Sequence, residues 1–204
     1  MPVFCYASDM IHHVIYVPGL GDHRTRAQRL APKYWQVFGI KGHVYVMNWR
    51  DKEAFAPKLA RLLAMIDKLA EGGNKVSLVG TSAGSSAVLV AYAARLDKVS
   101  GVVCICGKIN HPETIHPGRF VENPAFKESL AELQRILPKL GPKARKRVMS
   151  IHPLADESVP PADTIIPGAC EKLVPTAGHA FSIAVTLVFC AYSMMCFLKR
   201  QAAD

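Results

Sequence analysis

Short apolar runs alternate with helix-length segments from near the N-terminus to the end of this 204-residue chain. A parallel sheet covered by helices on both faces produces that order, so the pattern predicts an α/β fold, a three-layer α/β/α sandwich around a mostly parallel central sheet. Val14-Ile15-Tyr16-Val17 reads as a buried strand ending in the loop Pro18-Gly19-Leu20-Gly21-Asp22, and residues 42–47 read as a second strand. Between them, residues 24–38 can form a helix with Leu30, Tyr34 and Phe38 at four-residue spacing, confined or kinked by Pro32. Leu59, Leu62, Leu63, Ile66 and Leu69 make a helix stripe across residues 53–71, which Gly72-Gly73-Asn74 ends. A third strand, Val76-Ser77-Leu78-Val79, runs into a helix over residues 85–96, and residues 100–107 form a fourth strand.

The pattern loosens over residues 108–146. Pro112, Pro117, Gly118 and Pro124 break the first half, and a helix carrying Phe126, Leu130, Leu133 and Leu137 fills the second. This reads as an excursion over the sheet edge or active site, within one domain spanning residues 1–204. Val148-Met149-Ser150-Ile151 and Lys172-Leu173-Val174-Pro175 are short strands on either side of a turn or short helix at residues 162–169. Residues 180–198 hold no charged side chain and are expected to form one long helix, close to the ~20 residues a membrane span needs. Ser182, Thr186 and Ser193 interrupt it, so burial against the sheet is favoured. Completion by a second subunit, giving a homodimer, and peripheral membrane contact are the alternatives weighed for this helix.

Half of the residues are apolar and 20% are charged, a balance that excludes extensive disorder. The net charge of +9 raises the question of an anionic partner. The densest basic run, Lys139 to Arg147, is broken by Gly141 and Pro142 and reads as a solvated face, so nucleic acid is not an expected partner. Six cysteines lack the paired spacing of a zinc site or a disulfide scaffold and read as free thiols of a reducing, cytoplasmic setting. Cys104 and Cys106 would share one face of a strand, where packing is their expected role. No dinucleotide loop, phosphate-binding lysine motif or metal-ligand spacing is present, so no cofactor and no metal are expected.

The chemistry concentrates at Gly80-Thr81-Ser82-Ala83-Gly84, where an apolar strand turns directly into a helix. A serine on so sharp a turn needs small neighbours two positions away, which Gly80 and Gly84 provide. The helix N-terminus that follows offers backbone N–H groups to a developing oxyanion.

Together with three further segments, this motif resembles the α/β-hydrolase superfamily from about Val14 to the last helix. Ser82 matches the family's nucleophile. Val17-Pro18-Gly19-Leu20-Gly21 resembles its oxyanion loop, which implies an oxyanion hole from the backbone N–H groups of Leu20 and Ala83; Pro18 departs from the commoner His-Gly start. His152-Pro153-Leu154-Ala155-Asp156-Glu157-Ser158-Val159-Pro160 is similar to the acid loop, with Asp156 as the match and Glu157 and Asp163 as competitors. The family's alternative acid position, after Cys106, offers no carboxylate. Thr176-Ala177-Gly178-His179 resembles the loop that delivers the catalytic histidine. The resemblance implies a serine hydrolase of a small acyl substrate, an ester, thioester or amide, with Ser82, His179 and Asp156 as its triad. The alternative is a non-catalytic domain of the same fold that binds a ligand or partner.

Overall fold

The computed structural model describes residues 10–24 and 30–203, so residues 25–29 of the predicted first helix, and Cys5, lie outside the description. Six strands form one parallel sheet: β1 (His12–Val17), β2 (Lys41–Val44), β3 (Lys75–Thr81), β4 (Val99–Ile105), β5 (Val148–Ala155) and β6 (Cys170–Ala177), in the spatial order β2-β1-β3-β4-β5-β6. The order reverses direction at β1 and β3. At such a switch point the loops at the strands' carboxyl ends part and leave a crevice.

Alternation along each strand divides the core in two. Ile15, Val17, Leu78, Val102 and Cys104 face a layer of α2 (Phe55–Leu69), α3 (Gly84–Ala94) and α5 (Pro124–Ile136). Val14, Tyr16, Val79, Val103 and Ile105 face a layer of α1 (Leu30–Tyr34), the 3-10 turn Trp35–Phe38, α7 (His179–Phe189) and α8 (Ala191–Ala203). α4 (Pro117–Glu122) and α6 (Pro142–Lys146) complete the excursion. From Gly84 to Tyr92 every residue of α3 is buried, because it packs on β3 and against α5 at once.

Four expectations need correction. Residues 180–198 do not form one helix: α7 and α8 meet at Cys190 with a bend of 65°. α7 follows β5 and β6 whereas α8 crosses to β3 and β4, and a straight helix could not cover both pairs. The strand expected over residues 42–47 stops at Val44, since the Met47 and Asn48 carbonyls leave the sheet to accept from the buried Lys58 ammonium at 2.8 and 3.1 Å. Lys58 itself occupies a core position of α2, neutralised by Asp51 and Glu53. Cys104 and Cys106 lie on opposite faces, because β4 ends at Ile105 and Cys106 takes a positive φ of 47°. β5 and β6 also run longer than the four-residue cores read from the sequence, through His152 and Pro153 in β5 and to Ala177 in β6.

Candidate active site

Ser82 stands between β3 and α3 with φ of 50°, a left-handed conformation that a non-glycine residue adopts at a cost. Its backbone N–H donates to Ile105 O at 2.9 Å, which extends the β3–β4 ladder to the turn itself. The surrounding glycines are required by contact. A Cβ on Gly84 would lie 2.1 Å from Val17 O, and one on Gly80 would lie 2.7 Å from both Gly84 O and Val88 Cγ2. A Cβ on Gly19 would lie 2.8 Å from Ser82 Cβ, so the loop after β1 rests directly on the serine turn.

That loop is pinned from behind. Trp49 Nε1 donates to Pro18 O at 3.1 Å, and the buried Asp22 carboxylate accepts from Trp49 N at 3.3 Å. Burial raises the Asp22 pKa. Held this way, the backbone N–H groups of Leu20 and Ala83 have no acceptor among the described residues, and Leu20 borders the same cavity as Ser82. Trp49 was not singled out from the sequence, where it reads only as part of the turn after the second strand.

The three candidate acids separate into three roles. The Asp156 side chain is fully buried, and its Oδ2 lies 2.7 Å from His179 Nδ1. Its Oδ1 accepts from the backbone N–H groups of Ser158 and Val159, both at 2.8 Å, so the carboxylate is fixed on each side. Glu157 accepts from His179 N with both oxygens, at 3.0 and 3.2 Å, at the N-terminus of α7. Asp163 forms a buried ion pair with Lys108, whose ammonium also donates to Thr114 Oγ1 at 2.7 Å. Adjacent acids thus hold the ring and the backbone of one histidine.

Ser82 and His179 border a cavity of about 490 Å³, within the size range of small-molecule sites. The Gly19 to Gly21 loop forms one wall, Glu157 to Val159 and the first turns of α7 form another, and the excursion closes the rest with Lys108, His116, Arg119 and Phe126. Ser82 Oγ has no hydrogen-bond partner among the described residues, so the structure joins His179 to Asp156 and leaves Ser82 facing the same space unlinked. Lys108 is paired and Glu157 is engaged, whereas the Arg119 guanidinium has no carboxylate partner among the described residues.

Cys106 is a site residue for which the sequence offered only a packing role. Its Sγ, a carboxylate oxygen of Asp156 and a ring nitrogen of His179 all lie within 4.8 Å of one another, a donor set of the kind that can hold a metal ion. Burial first, then the Asp156 and Glu157 charges, push the Cys106 thiol up to about 12. Metal ligation requires the thiolate, which these surroundings oppose.

No protein-family model and no curated protein sequence matches the chain. Solved structures do. Est1E from Butyrivibrio proteoclasticus superposes with a TM-score of 0.72 at 17% identity, covering 96% of this chain and 90% of that one. Alpha/beta hydrolase domain-containing protein 10 from mouse gives 0.64 at 18% identity, covering 92% and 90%. A monoacylglycerol lipase of Paleococcus ferrophilus gives 0.58 at 16% identity, covering 93% and 94%. At these identities the likeness is one of fold.

Proposed function

We propose that this chain, which shares the α/β-hydrolase fold with those proteins, is a serine hydrolase that cleaves an ester or related acyl bond. The observation that carries the reading is the 2.7 Å contact between His179 Nδ1 and the fully buried Asp156 carboxylate, on the cavity that Ser82 faces from a strained turn. With Nδ1 committed to Asp156, Nε2 is the nitrogen that accepts the Ser82 Oγ proton as Oγ attacks the acyl carbon. The N–H groups of Leu20 and Ala83 then receive the oxyanion. His179 returns the proton to the leaving alcohol, thiol or amine, and water repeats the sequence on the acyl-enzyme. Attack requires Ser82 Oγ and His179 Nε2 to come within roughly 2.6–3.2 Å, a closure that substrate binding completes.

The cavity suits a small or medium acyl substrate, and Arg119, without a carboxylate partner among the described residues, favours one bearing an anionic group. A fluorophosphonate probe should label the folded wild-type protein and not Ser82→Ala. Failure to label would select the second reading, a ligand-binding domain of the same fold, which the missing Ser82–His179 hydrogen bond favours. A series of p-nitrophenyl esters then reads the acyl length, with short chains expected to turn over fastest.

A further inference from the structure

α7 is amphipathic in the wrong direction for a helix facing water. Beyond His179 its only polar side chains are Ser182 and Thr186, and both are buried, Ser182 accepting from Thr176 Oγ1 at 2.8 Å. Its outer face carries Phe181, Val188 and Phe189, the last 81% exposed. Such a helix ordinarily turns its apolar stripe inward and its polar residues outward.

The exposed face does not stop at α7. Tyr192 on α8 continues it at 69% exposure, and a ring ladder of Tyr192, Phe38 and Tyr34 carries it onto α1 and the turn after it, where Val37 is exposed. The segments that build this patch also carry the exposed cations Lys33, Lys41, Lys199 and Arg200. Neither residues 30–47 nor residues 178–203 contain a single Asp or Glu. On the opposite layer α2, α4 and α5 carry Asp67, Glu122, Glu128 and Glu132.

From this inverted helix and the acid-free, cation-bearing segments around it in the chain we infer that the α1–α7–α8 face docks on an anionic phospholipid surface. An apolar face edged with Lys and Arg and holding tyrosines is the composition that lies in a bilayer interface. Charge disfavours a second copy, because an isologous dimer would bring the same cations together, and the carboxylate at the start of α7, Glu157, is already engaged by His179 N. The contact is peripheral. No single helix among the described residues is long and apolar enough to cross a membrane, and α8 is held to the sheet by Met194, Met195 and Leu198. Ala180 and Ile183 of α7 border the cavity, so docking brings its mouth beside the lipid.

The inference is independent of the proposed reaction and is tested without it. The full chain is floated with phosphatidylcholine vesicles containing about 30% phosphatidylglycerol, and with phosphatidylcholine alone, at low and high salt. Binding to the anionic vesicles only, lost at high salt, is expected. Phe189→Glu should weaken it about tenfold or more and Lys199→Glu about fivefold, with unchanged thermal melts showing both variants folded. Absence of binding overturns the inference, as does binding indifferent to Phe189→Glu. A dimer seen by light scattering and broken by Phe189→Glu, without vesicle binding, would also overturn it and give the face to a second copy.

Discussion

At the scale of single residues, the neighbours Asp156 and Glu157 hold the same histidine by different atoms, and their removal should have different consequences. Asp156→Asn keeps the side chain's shape but presents a donor to His179 Nδ1, which favours the wrong tautomer. Turnover of a p-nitrophenyl ester is expected to fall by about 10³–10⁴-fold with the fold intact. Glu157→Gln leaves the ring alone and weakens an exposed contact at a helix N-terminus, so activity should change only a few-fold and stability by about 0.5 kcal/mol. Equal losses of activity in the two variants would refute this division of labour. The sequence favours Asp156 by its place in the loop. It does not separate the ring contact from the backbone contact, because that distinction depends on how Gly178, at φ of 90°, turns the chain into α7.

Among the elements, the ones read most closely were those whose surroundings are uniform. β1, β3 and β4 lie inside the sheet with apolar layers on both sides, so their runs are continuous and their ends fall within two residues of expectation. β6, an edge strand with mostly exposed or half-exposed positions, also ends within two residues of expectation, whereas β5 runs four residues past Ile151, through His152 and Pro153, where no apolar run marks it. The break at Cys190 is silent in composition, since apolar residues fill both sides of it and only the shift of partner strands demands the bend. The contact of α3 with β1 offers a direct test. Gly84→Ala would force a methyl toward Val17 O, and the only relief is to move α3 off the sheet together with the serine turn. A loss of about 3 kcal/mol in urea unfolding is expected, along with slower fluorophosphonate labelling. An unchanged unfolding midpoint would contradict the close approach.

Across the whole molecule, the two ends of the sheet serve different purposes. The carboxyl ends of β1, β3, β5 and β6 carry the candidate chemistry, whereas the amino end of β1 holds two buried histidines, with the half-buried His43 of β2 beside them. His12 Nε2 pairs with Ser77 Oγ at 2.9 Å, and burial, with Lys199, His13 and Lys75 nearby, lowers its pKa to about 4. His13 and His43 pair at 2.9 Å and are lowered too, chiefly by burial. At His12, between pH 6.5 and 4, the unfolded chain takes up a proton that the folded chain refuses, so its contribution to stability is full above that window and declines as pH falls through it. For His12 the loss amounts to about 3 kcal/mol, and His12→Gln should flatten the fall in urea midpoint between pH 7 and pH 4.5. The same variant should leave the pH profile of ester turnover in place, because the titrating group sits at the far end of the sheet. A shifted activity profile would show that the two ends are coupled. The glycines at the serine turn bear on ancestry as well. Gly19, Gly80 and Gly84 are fixed by collisions among loop, strand and helix rather than by catalysis, so a descendant that abandoned the reaction could lose Ser82 and His179 while still retaining all three. In a lineage of such proteins the glycines would record shared architecture, and only the serine and histidine would record whether the chemistry survived.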